Sequence, residues 1–181
     1  MYPDRGIYFF IYSRPLWNIV LIIPVFVLMW MLWRSFPPKF WRKLNTVLFA
    51  VSVIGILWLT LFMRGGTSTE APCFIPFHSL EAAKIQPELY REMLMNMFLY
   101  VPLGMTLPNA LPGKYSGAKA FGITILCGVI LSIGCEAVQL IFSLGLCETD
   151  DVITNLLGTL CGALHVPLSA GIIRLGRRDT E

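Results

Sequence analysis

The chain has 181 residues, of which 56% are hydrophobic and only 14% charged, against roughly 25% charged in an ordinary water-soluble domain. A net charge of +3 spread along the chain excludes a basic nucleic-acid surface, and five cysteines in no zinc-ligand spacing exclude a zinc finger. Lipid is the solvent this composition fits, and it predicts one all-α, polytopic integral membrane bundle over residues 1–181.

Arg5 and Arg14 precede the first apolar run, but Pro24 interrupts it and no small-residue cleavage site follows, so the run reads as a span and not as a removable leader. A spanning helix needs about 20 mainly apolar residues, which predicts about five spans. The first covers residues 16–33, with Trp17, Trp30 and Trp33 near its ends, where interfacial aromatics sit. The second covers 44–63 and is the least interrupted. The third covers 94–111, where Pro102, Gly104 and Pro108 are expected to kink or break it. The fourth covers 120–144 and the fifth 152–175, with Pro167 bending its last part. None of these runs alternates every second residue, as a barrel strand would.

Orientation follows from the basic residues. Arg34, Lys39, Arg42, Lys43, Lys114, Lys119, Arg174, Arg177 and Arg178 fall on one side of five spans, and Arg5, Arg14, Arg64, Lys84 and Arg91 on the other. The positive-inside rule then predicts the N-terminus outside and the C-terminus in the cytoplasm. Residues 64–93 become a long external connection, and a loop of that length is more often functional than a plain linker. It carries Phe74, Ile75, Pro76, Phe77 and His78, apolar enough either to lie at the membrane interface or to wedge the loop onto the bundle. Pro87 suits a first helical turn, and Glu88, Arg91 and Glu92 can pair on the surface.

Helical spacing sorts the polar residues of the last two spans into stripes. Gly128, Ser132, Glu136, Gln139 and Ser143 share one face of the fourth. Asp151, Asn155, Gly158, Gly162 and His165 share one face of the fifth, where the small residues allow another helix to approach closely. A short connection makes these two helices antiparallel neighbours. At 1.5 Å per residue Glu136 lies about 24 Å along its span, about 6 Å short of the far boundary of a ~30 Å core. Asn155 reaches a similar depth from the outer side, as does Asn96 in the third span, with Tyr100 one turn below it. Ionisable and amide groups in hydrocarbon normally face a protein interior or an aqueous cavity. Asn96, Tyr100, Glu136, Gln139, Asp151 and Asn155 are therefore the candidate ligand-binding residues, with Phe74, Pro76, Phe77 and His78 as a cover.

Plainer roles stand beside these. Glu136 and Gln139 could simply hold helices together. Thr149 could cap the fifth helix, with Asp150 and Asp151 complementing its dipole. His165, about 20 Å deep, reads as a satisfied core histidine. Cys73 and Cys147 lie in connecting segments and could pair if both face an oxidising compartment. A buried Glu136 could serve as acid or base, and Glu136, Asp150 and Asp151 could hold a divalent cation, but no catalytic or metal motif accompanies them. No cofactor is implied.

The element Ile75-Pro76-Phe77, the run from Asn96 to Gly104 (NMFLYVPLG), the Glu136-Ala137-Val138-Gln139 step and the run from Asp150 to Gly158 (DDVITNLLG) together resemble the VanZ-like membrane proteins, named for a teicoplanin-resistance protein of Gram-positive bacteria. The resemblance covers about residues 72–164. Many members carry an Arg between the Glu-x-x-Gln and Asp elements, whereas residues 143–149 here have none. It implies a multi-pass bacterial cell-membrane protein, in some members tied to lower sensitivity to lipoglycopeptides. Three functions follow as expectations. The first is non-catalytic recognition of an envelope lipid, a cell-wall precursor or a glycopeptide antibiotic such as teicoplanin. The second is a membrane enzyme acting on a lipid-linked substrate, and the third a structural or assembly protein.

Overall fold

The computed structural model describes residues 36–63, 71–115 and 117–167. The chain divides into two compact units, Met1–Trp41 and Arg42–Glu181, and every candidate site residue falls in the second. The described residues form five α-helices and one π-helical turn, with no strand among them. Helix α1 is Pro38–Leu57 and runs straight into the π-turn Trp58–Phe62, closed by Met63 N donating to Trp58 O at 3.1 Å. Helix α2 is His78–Ala82, α3 Pro87–Ala110, α4 Gly117–Phe142 and α5 Thr149–Ala163.

Helix α3 begins with Pro87 in its first turn, where a fixed φ and a missing N–H cost nothing. Its start lies ahead of the expected span because the polar run after Pro87 is itself helix-forming, with Arg91 paired to Glu88 at 3.8 Å on the surface. Pro102 and Pro108 were expected to kink or break this helix. It continues through both, because long contact with α5 supports it and tertiary packing outweighs local propensity.

Two of these helices, Pro38–Phe62 with 25 residues and Gly117–Phe142 with 26, are long and apolar enough to cross a membrane. Both leave most of their apolar surface exposed. On α4 the outward positions include Leu126, Ile130, Ile133, Leu140, Ile141 and Phe142, while Thr124, Gly128, Ser132, Glu136 and Gln139 are buried. That polarity is the reverse of a helix at a water-facing surface. Helices α3 and α5 are not among those that meet the same length and apolarity test. The first expected span, and the part of the fifth beyond Pro167, lie outside the described residues.

Helix α5 packs most extensively on α3 and also lies against α4, and α4 touches the π-turn. The close approach to α3 depends on glycine: a Cβ on Gly158 would run into the Met97 carbonyl, and one on Gly162 into that of Val101. The reciprocal position on α3 is Gly104, whose Cβ would meet the Thr159 carbonyl. The π-turn is tied to the last turns of α4, where Gln139 Nε2 donates to Thr60 O at 2.9 Å and Thr60 Oγ1 contacts Cys135 Sγ at 3.6 Å. The end of α1 is thus level with the end of α4.

Candidate functional site

Four elements supply one polar layer. From α3, Asn96 Nδ2 donates to Asp151 Oδ1 on α5 at 2.7 Å. One turn further along α3, Tyr100 is fully buried, with its hydroxyl among Cys135, Ser132 and Glu136 of α4. Asn155 of α5 donates through Nδ2 to Ser132 Oγ at 2.9 Å. Gln139 joins α4 to the π-turn through Thr60 O. The periodic stripes expected on α4 and α5 therefore meet as predicted at Ser132 and Asn155. They part elsewhere: Gly158 and Gly162 face α3, and Ser143, with φ 53°, has left the helix and is exposed.

Two buried amide oxygens in this layer, Gln139 Oε1 and Asn155 Oδ1, have no hydrogen-bond partner among the described residues, whereas the Tyr100 hydroxyl has Ser132 and Cys135 beside it. Gln139 cannot relieve its own deficit by turning its amide over, because its nitrogen already serves a backbone carbonyl, which accepts only a donor. Buried polar atoms are nearly always satisfied, and these two belong to neighbouring helices, α4 and α5.

The acids divide by task. Glu136 is buried and accepts the Glu148 N–H through Oε2 at 3.1 Å, which fastens the α4–α5 connection to α4. Asp150 accepts Phe77 N and Ser79 N at 2.5 and 2.7 Å, one on each oxygen, and so caps α2 instead of its own helix. Ser79 Oγ adds a bond to Glu148 Oε2 at 3.0 Å. Asp150 accepts two amides and Asp151 the Asn96 side chain, and among the described residues no three His, Cys, Asp or Glu side chains are grouped to hold a metal. Thr149 opens α5, but the capping position is Glu148, whose side chain makes no cap bond.

The cover segment lies where Asp150 holds it. Phe74, Ile75 and Phe77 are 63, 65 and 56% exposed, and Pro76 and His78 are exposed beside them. Cys73 N donates to Cys147 O at 2.9 Å and Thr149 N to Cys73 O at 3.1 Å, a single parallel bridge that pairs Cys73 with Glu148. Extended neighbours point to opposite faces, so Cys73 shares the face of Glu148 while Cys147 turns the other way, toward Glu136. Both cysteines are free thiols. Burial first, then Glu136 and the charges of Asp151 and Glu148, push the Cys147 thiol up from its ordinary range. His165 is satisfied within the bundle by Asn109 Nδ2 at 3.0 Å and Gly162 O at 2.9 Å, away from the acids.

Sequence reasoning missed Thr60, Cys135, Ser79 and Cys147 as members of this layer. Thr60 carried a signal, being a lone hydroxyl near the end of an apolar span.

The VanZ/LLP1 family model matches residues 46–170, more than half of the chain. The chain belongs to the VanZ/LLP1 family. The match reaches back to residue 46, into α1, which the motifs alone left outside the resemblance. No curated protein and no solved structure matches the chain. Within this VanZ-like protein the runs that carry the sequence resemblance lie in the polar layer: the Asn96 run on α3, the Glu136 step on the end of α4 and the Asp150 run on the start of α5.

Proposed function

We propose that this VanZ-like protein is a multi-pass protein of the bacterial cell membrane that recognises the polar group of an envelope amphiphile, a lipid-linked cell-wall precursor or a lipoglycopeptide such as teicoplanin, without chemically converting it. The observation that carries the reading is the pair of unpartnered buried amide oxygens, Gln139 Oε1 and Asn155 Oδ1, in the same layer as Tyr100, Glu136 and Asp151. Acceptor oxygens in low dielectric favour a hydrogen-bond-donating or cationic ligand group, such as an amine, amide or sugar hydroxyl. Two features speak against catalysis. Glu136 already accepts the Glu148 amide, and the thiol beside it, Cys147, is pushed toward its neutral form, whereas a nucleophilic cysteine needs the thiolate.

The test uses full-length protein in nanodiscs, with teicoplanin and a lipid-linked wall precursor as probes. Glu136→Gln and Asp151→Asn keep an acceptor for their present donors but lose the charge. Both variants should accumulate like the wild type and bind at least about tenfold more weakly, the effect of about 1.4 kcal/mol. Wild-type affinity in both variants, or no binding of either probe to the unaltered protein, refutes the proposal.

A second reading has one specific support. Asn96–Asp151, Asn155–Ser132 and Gln139–Thr60 each join two elements, so the layer also serves as helix adhesive. If that were its whole role, every substitution in the layer would lower protein level and function together.

A further inference from the structure

We propose that residues 74–77 form a wedge that lies in the headgroup–acyl boundary of the bilayer, with the side chains of Phe74, Ile75 and Phe77 immersed in lipid. The inference rests on the membrane reading above and assigns the loop a role of its own, separate from ligand recognition in the bundle.

Backbone strain is the first support. Phe77 has φ 63° and ψ 13°, in the left-handed region that a bulky L-residue rarely adopts. Such strain persists where the surroundings enforce it and is commonest where a residue has a task. Here the enforcing group is Asp150, 2% exposed, which accepts the amides of Phe77 and Ser79. The Cys73–Glu148 bridge holds the other end of the segment. The result of this clamp is that three large apolar side chains are turned outward when the bundle lies within reach.

What covers them follows from their level in the molecule. Cys73, Phe77 and Ser79 are bonded to residues 147–150, just past Phe142 at the end of α4, and the segment follows the π-turn that ends at Phe62. Phe142 and Phe62 are themselves 65 and 70% exposed. The wedge therefore lies at the end of α4, where the apolar outer surface of that helix stops, and the end of α1 is level with that point through Thr60. From Pro72 to Phe77 the segment has no charged side chain; the first acid after it is Glu81. Aromatic and apolar groups at that boundary, with charges just beyond, are the pattern of an interfacial anchor.

The experiment places single nitroxide labels on the full-length protein, with native cysteines replaced, in vesicles of phosphatidylcholine and phosphatidylglycerol. Relaxation by oxygen, which partitions into lipid, is compared with relaxation by a water-soluble nickel chelate. A label at Ile75→Cys should show an oxygen-to-chelate ratio at least about threefold above that at Glu88→Cys on the exposed first turn of α3. Asp150→Asn should lower the Ile75 ratio toward the Glu88 value. A label at Ile130→Cys on the outward face of α4 reports membrane crossing separately. If Ile130 is oxygen-accessible and Ile75 matches Glu88, the wedge is refuted and the membrane reading stands; if Ile130 is also chelate-accessible, the membrane reading falls. An Ile75 label shielded from both reagents means that protein, such as a second copy of this chain, covers the segment, and likewise overturns the proposal. Because cysteine replacement touches Cys135 and Cys147 in the polar layer, Phe77→Trp in the native background gives an independent reading. Brominated phosphatidylcholine should quench its fluorescence in excess of the wild-type tryptophans, and no excess quenching counts against the wedge.

Discussion

Both oxygens of Asp150 are taken by backbone amides that come from a segment more than 70 residues earlier. A charge-assisted bond of this kind is worth about 1.5–3 kcal/mol, and a buried N–H left without an acceptor costs about 1–3 kcal/mol. Asp150→Asn keeps one acceptor and turns an NH2 toward the other amide, so the loop should lose about 2 kcal/mol of local stability. Hydrogen exchange at Phe77 and Ser79 should then accelerate by about 30-fold, while amides in the middle of α4 stay slow. Equal protection in mutant and wild type would show that the loop is held by something else. Cys147 offers a second prediction, with its sign set by the raised thiol pKa. The thiolate is the reactive form, so alkylation of Cys147 should lag that of half-buried Cys73 at neutral pH and rise only above the ordinary thiol range. In that window the unfolded chain loses the proton first, and this group's contribution to stability falls as pH rises. Glu136→Gln removes one cause of the upward shift, and the alkylation profile should move to lower pH.

At the scale of elements, the α3–α5 seam is set by backbone proximity. In an open helix position, Gly→Ala gains up to about 1 kcal/mol from propensity. Gly158→Ala should instead destabilise by about 1–3 kcal/mol, since its Cβ would strike the Met97 carbonyl and the helices would have to separate. Gly134→Ala on α4, where a Cβ meets nothing within 4 Å, is the matched control and should be neutral or slightly stabilising. Thermal unfolding of the two variants in one detergent compares them directly. This seam shows how the legible and the hidden parts of the molecule divide. The 3.6-residue period put Ser132, Glu136 and Gln139 on one face of α4, and all three are buried; it also put Asn155 with Gly158 on one face of α5, which the structure divides between α4 and α3. Spacing along one helix does not say which neighbour receives a face, so the contact of Gly158 and Gly162 with α3 was not readable. Asp150 was harder still, because its partners are backbone N–H groups that no side-chain pattern announces. The π-turn is equally silent: Trp58–Phe62 reads as more apolar helix, yet its extra residue presents Thr60 O to Gln139.

For the whole molecule, the bonds around Thr60 constrain the path of the chain. Thr60 near the end of α1 meets Gln139 and Cys135 near the end of α4, so the two membrane-length helices finish at one level. If both helices cross in the same direction, the chain must return between them, and we propose that α3 makes the return, even though it is less apolar and buries more of its surface. Its burial against α5 and α4 explains how a helix containing Asn96, Thr106 and Asn109 can occupy that depth. Lys39, Arg42 and Lys43 lie in the first turns of α1 and Lys119 in that of α4, with Lys114 in the turn before α4, whereas of Lys and Arg the described segment from Pro72 to Glu92, between the π-turn and the third expected span, carries only Lys84 and Arg91, both paired to acids. The positive-inside rule then assigns the basic ends to the cytoplasm and the Asp150 end to the exterior. The check is labelling of intact cells with a membrane-impermeant maleimide in a Cys73→Ser background. A label site at Glu81→Cys, on exposed α2, should react without permeabilisation, and one at Lys114→Cys, in the exposed turn before α4, only after it. The opposite pattern would invert the molecule and put the polar layer near the cytoplasmic face, where lipoglycopeptides do not reach. Equal labelling at both sites in intact cells would mean that α3 does not cross, and the return path inferred from Thr60 would be wrong.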